Sequence, residues 1–283
     1  MEIKKVGVVG CGQMGSGITQ VCAQSGYHVI VSEINDELLN KGLAAINSSL
    51  TKGVEKGKIT PQDKDNALAR IKGTTAIKDL GDCDLVIEAA VENMNLKKKI
   101  FTELDKICPG HAVLATNTSC LSIIDIAILT TRPEKVLGLH FFNPVPIMKL
   151  LEIARTIATS DETLEIGKSF GKSLGKTVIV AKDTPGFIVN RILVPYLLNA
   201  IRMLEANVAT REDIDNGITL GLNHAMGPLA LSDLVGLDTL LFIANNLYAE
   251  YKEPQFAPPV LLSKMVTAGW LGRKTGKGFY EYK

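Results

Sequence analysis

Two features near the start of the chain and one past its middle predict an α/β fold. A short β-branched run, Val6-Gly7-Val8-Val9, breaks into Gly10-Cys11-Gly12-Gln13-Met14-Gly15, after which helical periodicity begins with Ile18, Val21 and Cys22. A second strand-like run, Tyr27-His28-Val29-Ile30-Val31-Ser32, ends on Glu33, 18 residues after Gly15. Strand, glycine turn, helix, strand and acid in that order make a dinucleotide-binding βαβ unit, the start of a doubly wound sheet of Rossmann type. Beyond Asp183 strand signals cease and helical periodicity carries the rest, so an all-helical C-terminal domain is expected to follow.

The glycines of the first turn have separate tasks. Gly10 permits the tight turn, Gly12 lets backbone press against a pyrophosphate, and Gly15 lets the helix lie close to the strand. The open N–H groups and dipole of that helix then face the phosphates. Glu33 stands where this fold places the carboxylate that holds the adenosine ribose hydroxyls. Ile34, Asn35 and Asp36 follow it with no Arg or Lys nearby, so NAD(H) is expected over its 2′-phosphorylated counterpart.

A long helix is predicted from residue 36 to about 55, with Leu43, Ile46, Leu50 and Val54 on one face at roughly 100° per residue. Thr60-Pro61-Gln62-Asp63 reads as a cap with Pro at the first helical position, opening a second helix toward Ile71. Two successive helices between strands suggest a hairpin projecting from the domain. Short strands follow near 73–75 and at 85–89, the second apolar with little alternation, as a strand covered on both faces should be. A Lys-rich helix is predicted at 95–107, strands at 113–116, 136–142 and 150–155, helices at 123–129 and 162–174, and a last strand at 177–181. Asp183-Thr184-Pro185-Gly186 breaks the pattern and sets the expected division into 1–184 and 185–283. Helices are predicted beyond it at 187–205, 211–220, 229–251 and 259–268. The many Leu and Ile residues of that second part suggest pairing with a second copy of itself.

Composition narrows the function classes. With 46% hydrophobic residues the 283-residue chain can bury a substantial core, and a formal net charge of +1 gives no overall field for nucleic acid or a membrane surface. No apolar run reaches the ~18 residues needed to span a bilayer. The N-terminus enters a strand almost at once, which argues against a leader and for the cytoplasm. The five cysteines (Cys11, Cys22, Cys83, Cys108 and Cys120) show neither metal nor redox spacing, so free thiols and no metal are expected.

Chemistry concentrates in Gly138-Leu139-His140-Phe141-Phe142-Asn143-Pro144-Val145-Pro146. A strand delivers His140 toward its carboxyl end, where doubly wound sheets place ligands, and imidazole suits proton transfer near neutral pH. A lone histidine in a strand is as readily a packed core residue. Glu152 on the next strand adds weight, because a carboxylate on one ring nitrogen fixes the tautomer and favours the charged ring. Thr116-Asn117-Thr118-Ser119 closes another strand with three hydroxyls and an amide, a set that could equally cap the helix after it. Asn190 sits four residues after Gly186 and is unremarkable by itself.

Together these stretches resemble the L-3-hydroxyacyl-CoA dehydrogenase family: Gly10-Cys11-Gly12-Gln13-Met14-Gly15, Ala115-Thr116-Asn117-Thr118-Ser119, His140-Phe141-Phe142-Asn143-Pro144, and Asp183 through Arg191. The likeness extends to the closing Gly272-Arg273-Lys274-Thr275-Gly276-Lys277-Gly278-Phe279-Tyr280. Within the family the short chain is most similar to bacterial members acting on 3-hydroxybutyryl-CoA. The resemblance implies an NAD-dependent oxidoreductase that interconverts (S)-3-hydroxybutyryl-CoA and acetoacetyl-CoA. His140 would be the acid/base and Glu152 its orienting partner. Ser119 would bond the reacting oxygen beside the nicotinamide, and Asn190 would reach the substrate across the domain cleft. The turn residues Gly10, Gly12, Gln13, Met14 and Gly15, with Glu33, Glu92, Lys97, Asn117, Ser119, Asn143 and Lys274, match positions that meet the cofactor. Ser49 and Lys56 match positions near CoA. Lys52 shares their helix face with Lys41, and such lysines could serve the CoA phosphates, although an amphipathic helix must in any case have a polar face. Glu92 and Lys97 lie on a charged loop and helix that any solvated surface would show. The helical domain would carry substrate contacts and a homodimer interface.

Two other readings stay open on the sequence. A dehydrogenase of free 3-hydroxy acids shares the first turn but typically uses a lysine as acid/base. A nicotinamide-sensing or structural protein on the same fold could keep every motif, though no basic DNA-binding module is visible.

Overall fold

The computed structural model describes residues 2–282. Eight strands form one sheet: β1 (Lys5–Val9), β2 (His28–Ser32), β3 (Ile71–Thr74), β4 (Leu85–Glu88), β5 (Val113–Thr116), β6 (Val136–Phe141), β7 (Leu150–Arg155) and β8 (Thr177–Lys182). Their order is β3-β2-β1-β4-β5-β6-β7-β8. The first six strands run parallel, so their carboxyl ends share one end of the sheet. β7 pairs antiparallel with β6, and β8 follows β7 in parallel. The eight-residue connection from β6 to β7 is too short for the crossover a parallel pair needs, which dictates the reversal. Chain direction across the sheet switches beside β1, where doubly wound folds open a crevice for ligands.

Helices cover both faces of this sheet, in the unit Met1–Thr184: α1 (Gln13–Gln24), α2 (Asp36–Glu55), α3 (Pro61–Ala69), α4 (Met94–Ile107), α5 (Ile124–Ala127) and α6 (Asp161–Ser173). Most begin on a side-chain cap. Asn35 accepts from the Leu38 N–H, Asn93 from Leu96 and Ser160 from Thr163, while Thr60 and Asp63 form a reciprocal capping box ahead of α3. The α2–α3 hairpin packs against α1. Ile46 and Leu50 of α2 and Ala67 of α3 join the core that also holds Val6, Val8, Val29 and Val31. Leu43 and Val54 of the expected apolar stripe are half-buried.

The second unit, Pro185–Lys283, is helical: α7 (Val189–Glu205), α8 (Arg211–Gly221), α9 (Pro228–Val235), α10 (Leu237–Tyr251) and α11 (Val260–Thr267). The single helix expected over 229–251 is two helices. They meet at Gly236, whose φ of 97° no continuous helix accommodates, and their axes turn by 95°. Buried Asp233 then clasps the chain terminus, accepting from the Phe279 and Tyr280 N–H groups and from the Tyr282 hydroxyl.

Candidate active site

The glycine turn is closed on two sides and open on the third. Gly10 has φ 95°, and a Cβ on Gly15 would collide with the Gly10 carbonyl oxygen. A Cβ on Gly12 would meet nothing within 4 Å, so bare backbone faces open space there. Gly12 is also the N-cap of α1, which has neither a side-chain cap nor an acid in its first turn. The N–H groups that Asn35, Thr60, Asn93 and Ser160 satisfy elsewhere are therefore left for a ligand, and a pyrophosphate fits that cradle.

Glu33 braces this turn from the end of β2. Its carboxylate accepts from the Cys11 N–H at 2.8 Å and from the Ile34 N–H at 2.8 Å. Burial first, and the Glu33 carboxylate second, push the Cys11 thiol up to about 11. The thiol therefore brings no negative charge to the phosphate turn at neutral pH.

His140 and Glu152 are directly opposed across β6 and β7. His140 Nδ1 lies 2.7 Å from a Glu152 carboxylate oxygen, with the side chains 8% and 0% exposed. The Phe142 ring tilts against the imidazole at 4.5 Å between centroids. At the end of β5, the Asn117 side-chain oxygen accepts from the Phe141 N–H at 2.9 Å and ties the Thr116–Ser119 turn to the residue after His140. The His140 and Ser119 ends of two adjacent parallel strands are thereby fastened together.

Beneath that turn lies a network the sequence did not reveal. Glu88, the fully buried last residue of β4, accepts from Lys97 Nζ with both oxygens at 2.8 Å, from the Thr116 hydroxyl at 2.7 Å and from the Ala90 N–H at 2.7 Å. Lys97 Nζ is also 3.1 Å from Glu92, whose other oxygen accepts from the Thr118 hydroxyl and from the Ser119 N–H at 3.0 Å. The one sequence signal for this network is a carboxylate ending the otherwise apolar strand Leu85–Glu88.

A cleft of about 250 Å³ opens between α1, α2 and the loop after β6, lined among others by Gln13, Gln20, Ser49, Asn143, Pro144 and Val145. It gathers Ser49, Gln13 and Asn143 in one place. Lys52 and Lys56 are exposed at the far end of α2. The loop itself hangs on Lys176, a buried amine that donates to the Val145 and Met148 carbonyls at 2.6 Å each. In the second unit Asn190 is the second residue of α7 and half-buried, and Lys274 is ion-paired with Asp238.

Comparison with known proteins agrees with this architecture. The family described as 3-hydroxyacyl-CoA dehydrogenase, NAD binding domain, matches residues 5–184, and 3-hydroxyacyl-CoA dehydrogenase, C-terminal domain, matches 186–282. A 3-hydroxybutyryl-CoA dehydrogenase of Mycobacterium tuberculosis is 50% identical over 99% of both chains. A probable 3-hydroxybutyryl-CoA dehydrogenase of Bacillus subtilis is 45% identical over 100% of this chain and 99% of its own. The solved structure of (S)-3-hydroxybutyryl-CoA dehydrogenase from Ralstonia eutropha superposes with a TM-score of 0.95 at 47% identity, covering 100% of each chain. Matched along both of its units, and carrying an open phosphate turn at the same end of the sheet as a buried His–Glu pair, the chain belongs to the 3-hydroxyacyl-CoA dehydrogenase family.

Proposed function

We propose that this protein is an NAD-dependent 3-hydroxyacyl-CoA dehydrogenase that interconverts (S)-3-hydroxybutyryl-CoA and acetoacetyl-CoA. The observation that carries the reading is the His140–Glu152 pair, delivered by β6 to the same end of the sheet as the open phosphate turn. With Nδ1 committed to Glu152, His140 Nε2 is the nitrogen that takes the proton from the C3 hydroxyl and returns it to the ketone in reverse. Glu152 stabilises the imidazolium formed and keeps the ring from turning. Ser119 donates to the C3 oxygen, and Asn190 holds the thioester end of the substrate. Bound NAD supplies the two-electron acceptor for the hydrogen leaving C3. Proton and hydrogen leave from one carbon and its oxygen, so the chief contribution of the chain is to fix both acceptors around that centre.

The cofactor would lie with its pyrophosphate on Gly10, Gly12, Gln13, Met14 and Gly15, its adenosine ribose on Glu33, and its nicotinamide end near Glu92, Asn117, Ser119 and Asn143. Lys274 is a further candidate for the cofactor. Ser49 in the cleft, with Lys52 and Lys56, would meet CoA. A homodimer through the helical unit is supported by its exposed apolar side chains, including Ile192 (70%), Leu220 (84%) and Leu222 (61%). Cytoplasmic residence is supported by five free, buried cysteines. No single helix among the described residues is long and apolar enough to cross a membrane.

The test is NADH absorbance with acetoacetyl-CoA, longer 3-ketoacyl-CoAs and free acetoacetate. Fastest turnover with acetoacetyl-CoA supports the reading, whereas oxidation of NADH with free acetoacetate alone, or with none of them, overturns it.

A further inference from the structure

The loop between β6 and β7 is held from beneath by an ammonium and from the side by a bare helix face. Lys176 is 9% exposed, and among the described residues its Nζ donates to two backbone carbonyls and to no carboxylate: Val145 and Met148, at 2.6 Å each. Burial pulls this amine below its ordinary value, so the charge is kept where it costs stability. Its backbone is fixed on both sides. α6 ends in a Schellman turn, in which Gly175, at φ 70°, donates to the Lys172 carbonyl and the Lys176 N–H donates to that of Gly171. The Thr177 N–H then takes the Lys149 carbonyl as β8 begins. On the loop itself, the Pro144 carbonyl accepts from the Ile147 and Met148 N–H groups, and the Val145 and Met148 carbonyls turn to the one amine. From the side, buried Val145 lies against Gly17 of α1, where a Cβ would stand 2.9 Å from the Val145 Cβ. Amine and glycine thus fasten Val145 two residues after Asn143, which is exposed and lines the cleft.

We propose that Lys176 and Gly17 are positioning residues for Asn143: together they fix the backbone of the loop after β6, so that the Asn143 amide meets the nicotinamide end of NAD(H). The proposal rests on the cofactor reading set out above. An apolar side chain would fill the place of Lys176 without the cost of a buried charge. It would also leave two carbonyls turned inward with no donor, a loss the loop escapes only by turning them out to water. Val145 then leaves Gly17, and Asn143 loses its fixed aim.

Lys176→Met, Gly17→Ala, Asn143→Ala and the two double variants with Asn143→Ala form the test. They are read in NADH binding by fluorescence, in steady-state kinetics, and in amide hydrogen exchange of the cofactor-free protein. Lys176→Met should raise the NADH dissociation constant about fivefold or more and leave kcat at saturating NADH within about threefold, the pattern of lost uniform binding. In the Asn143→Ala background the same change should cost less than about twofold, since both act through one amide. Gly17→Ala removes no hydrogen bond and suits a helix better, yet its Cβ displaces Val145 and should repeat both results. Without cofactor, the Ile147 and Met148 amides of Lys176→Met should exchange about tenfold faster or more, with β6 and β7 as in wild type. Losses that multiply across the cycle overturn the proposal, because a merely structural lysine behaves that way. So does an unchanged NADH dissociation constant in Asn143→Ala or in Lys176→Met, or a loop whose amides exchange as before. If Lys176→Met does not fold, Gly17→Ala and its double variant are read by the same binding outcomes. A wild-type protein that binds NADH but turns over no acyl-CoA sinks the functional reading instead, and the binding cycle still decides whether Lys176 acts through Asn143.

Discussion

His140 is 6% exposed and shares Nδ1 with a carboxylate that is itself fully buried. A glutamine there keeps a polar side chain of similar reach but moves no proton. His140→Gln should lower kcat by about 10² or more with little change in NADH affinity. Steady-state kinetics with acetoacetyl-CoA decide the matter, and a near-normal kcat would make His140 a core histidine. Glu33 carries the second prediction. Its carboxylate accepts the Cys11 and Ile34 N–H groups, no Lys or Arg stands among Ile34, Asn35 and Asp36 after it, and a 2′-phosphate placed beside it meets like charge. Catalytic efficiency with NADPH should fall well below that with NADH, and parity between the two would reject the assignment. Residues differ in how readable they were. His140 and Glu152 could be paired from sequence because each sits on its own apolar strand. The resemblance singled out Lys97 from Lys98 and Lys99 but gave no hint of Glu88, since only the turn of α4 decides which of three neighbours points inward to it.

Whole elements were legible where local chemistry specifies them. Thr60-Pro61-Gln62-Asp63 announced the start of α3, and the capping box is present. Gly236 was overlooked inside an apolar stretch whose periodicity continues across it, because a break in φ leaves the pattern of buried residues on either side intact. The reversal at β7 was also missed, although the short connection before it, with two prolines and no helical period, carried the signal. α2 supports a prediction of its own. Its core face holds Ile46 and Leu50, Ser49 lines the cleft, and Lys52 and Lys56 stand exposed beyond it. Lys52→Ala/Lys56→Ala should raise KM for acetoacetyl-CoA and leave kcat nearly unchanged, the pattern of lost uniform binding. Acetoacetyl-pantetheine, which lacks the nucleotide phosphates, should not distinguish the variant from wild type. Equal losses with both substrates would reduce the lysines to a solvated face.

At the scale of the molecule, acid should loosen the sheet unit through Asp105. Burial alone would raise Asp105, but the Thr131 N–H and hydroxyl and the Arg132 guanidinium, 2.8 Å away, hold its carboxyl below the usual range. A carboxyl depressed in the folded state contributes stability that is present above its unfolded value, about 3.9, and is lost as pH falls through the folded value. Asp105→Asn leaves the buried Arg132 with one charged partner fewer, at a cost on the order of 2 kcal/mol. It should lower Tm at pH 7 by roughly 5 °C. The gap between variant and wild type should close as both are titrated below pH ~4. A gap that stays constant down to the acid limit would mean that the carboxylate charge contributes nothing.

The antiparallel pairing of β6 and β7 has a consequence for redesign. His140 faces Glu152 because strand register places them opposite each other, and the eight residues between Phe141 and Leu150 take no part in setting that distance. Beyond Phe142 and Asn143 the connecting loop is therefore free to change in sequence and length while the pair stays opposed. Since that loop walls the cleft with Asn143, Pro144 and Val145, exchanging it is the economical route to a different substrate. Three constraints are inherited: Phe142 must keep its ring against His140, Asn143 must stay for the cofactor role proposed above, and a graft must offer the Lys176 ammonium two new acceptors or bring an apolar residue in its place.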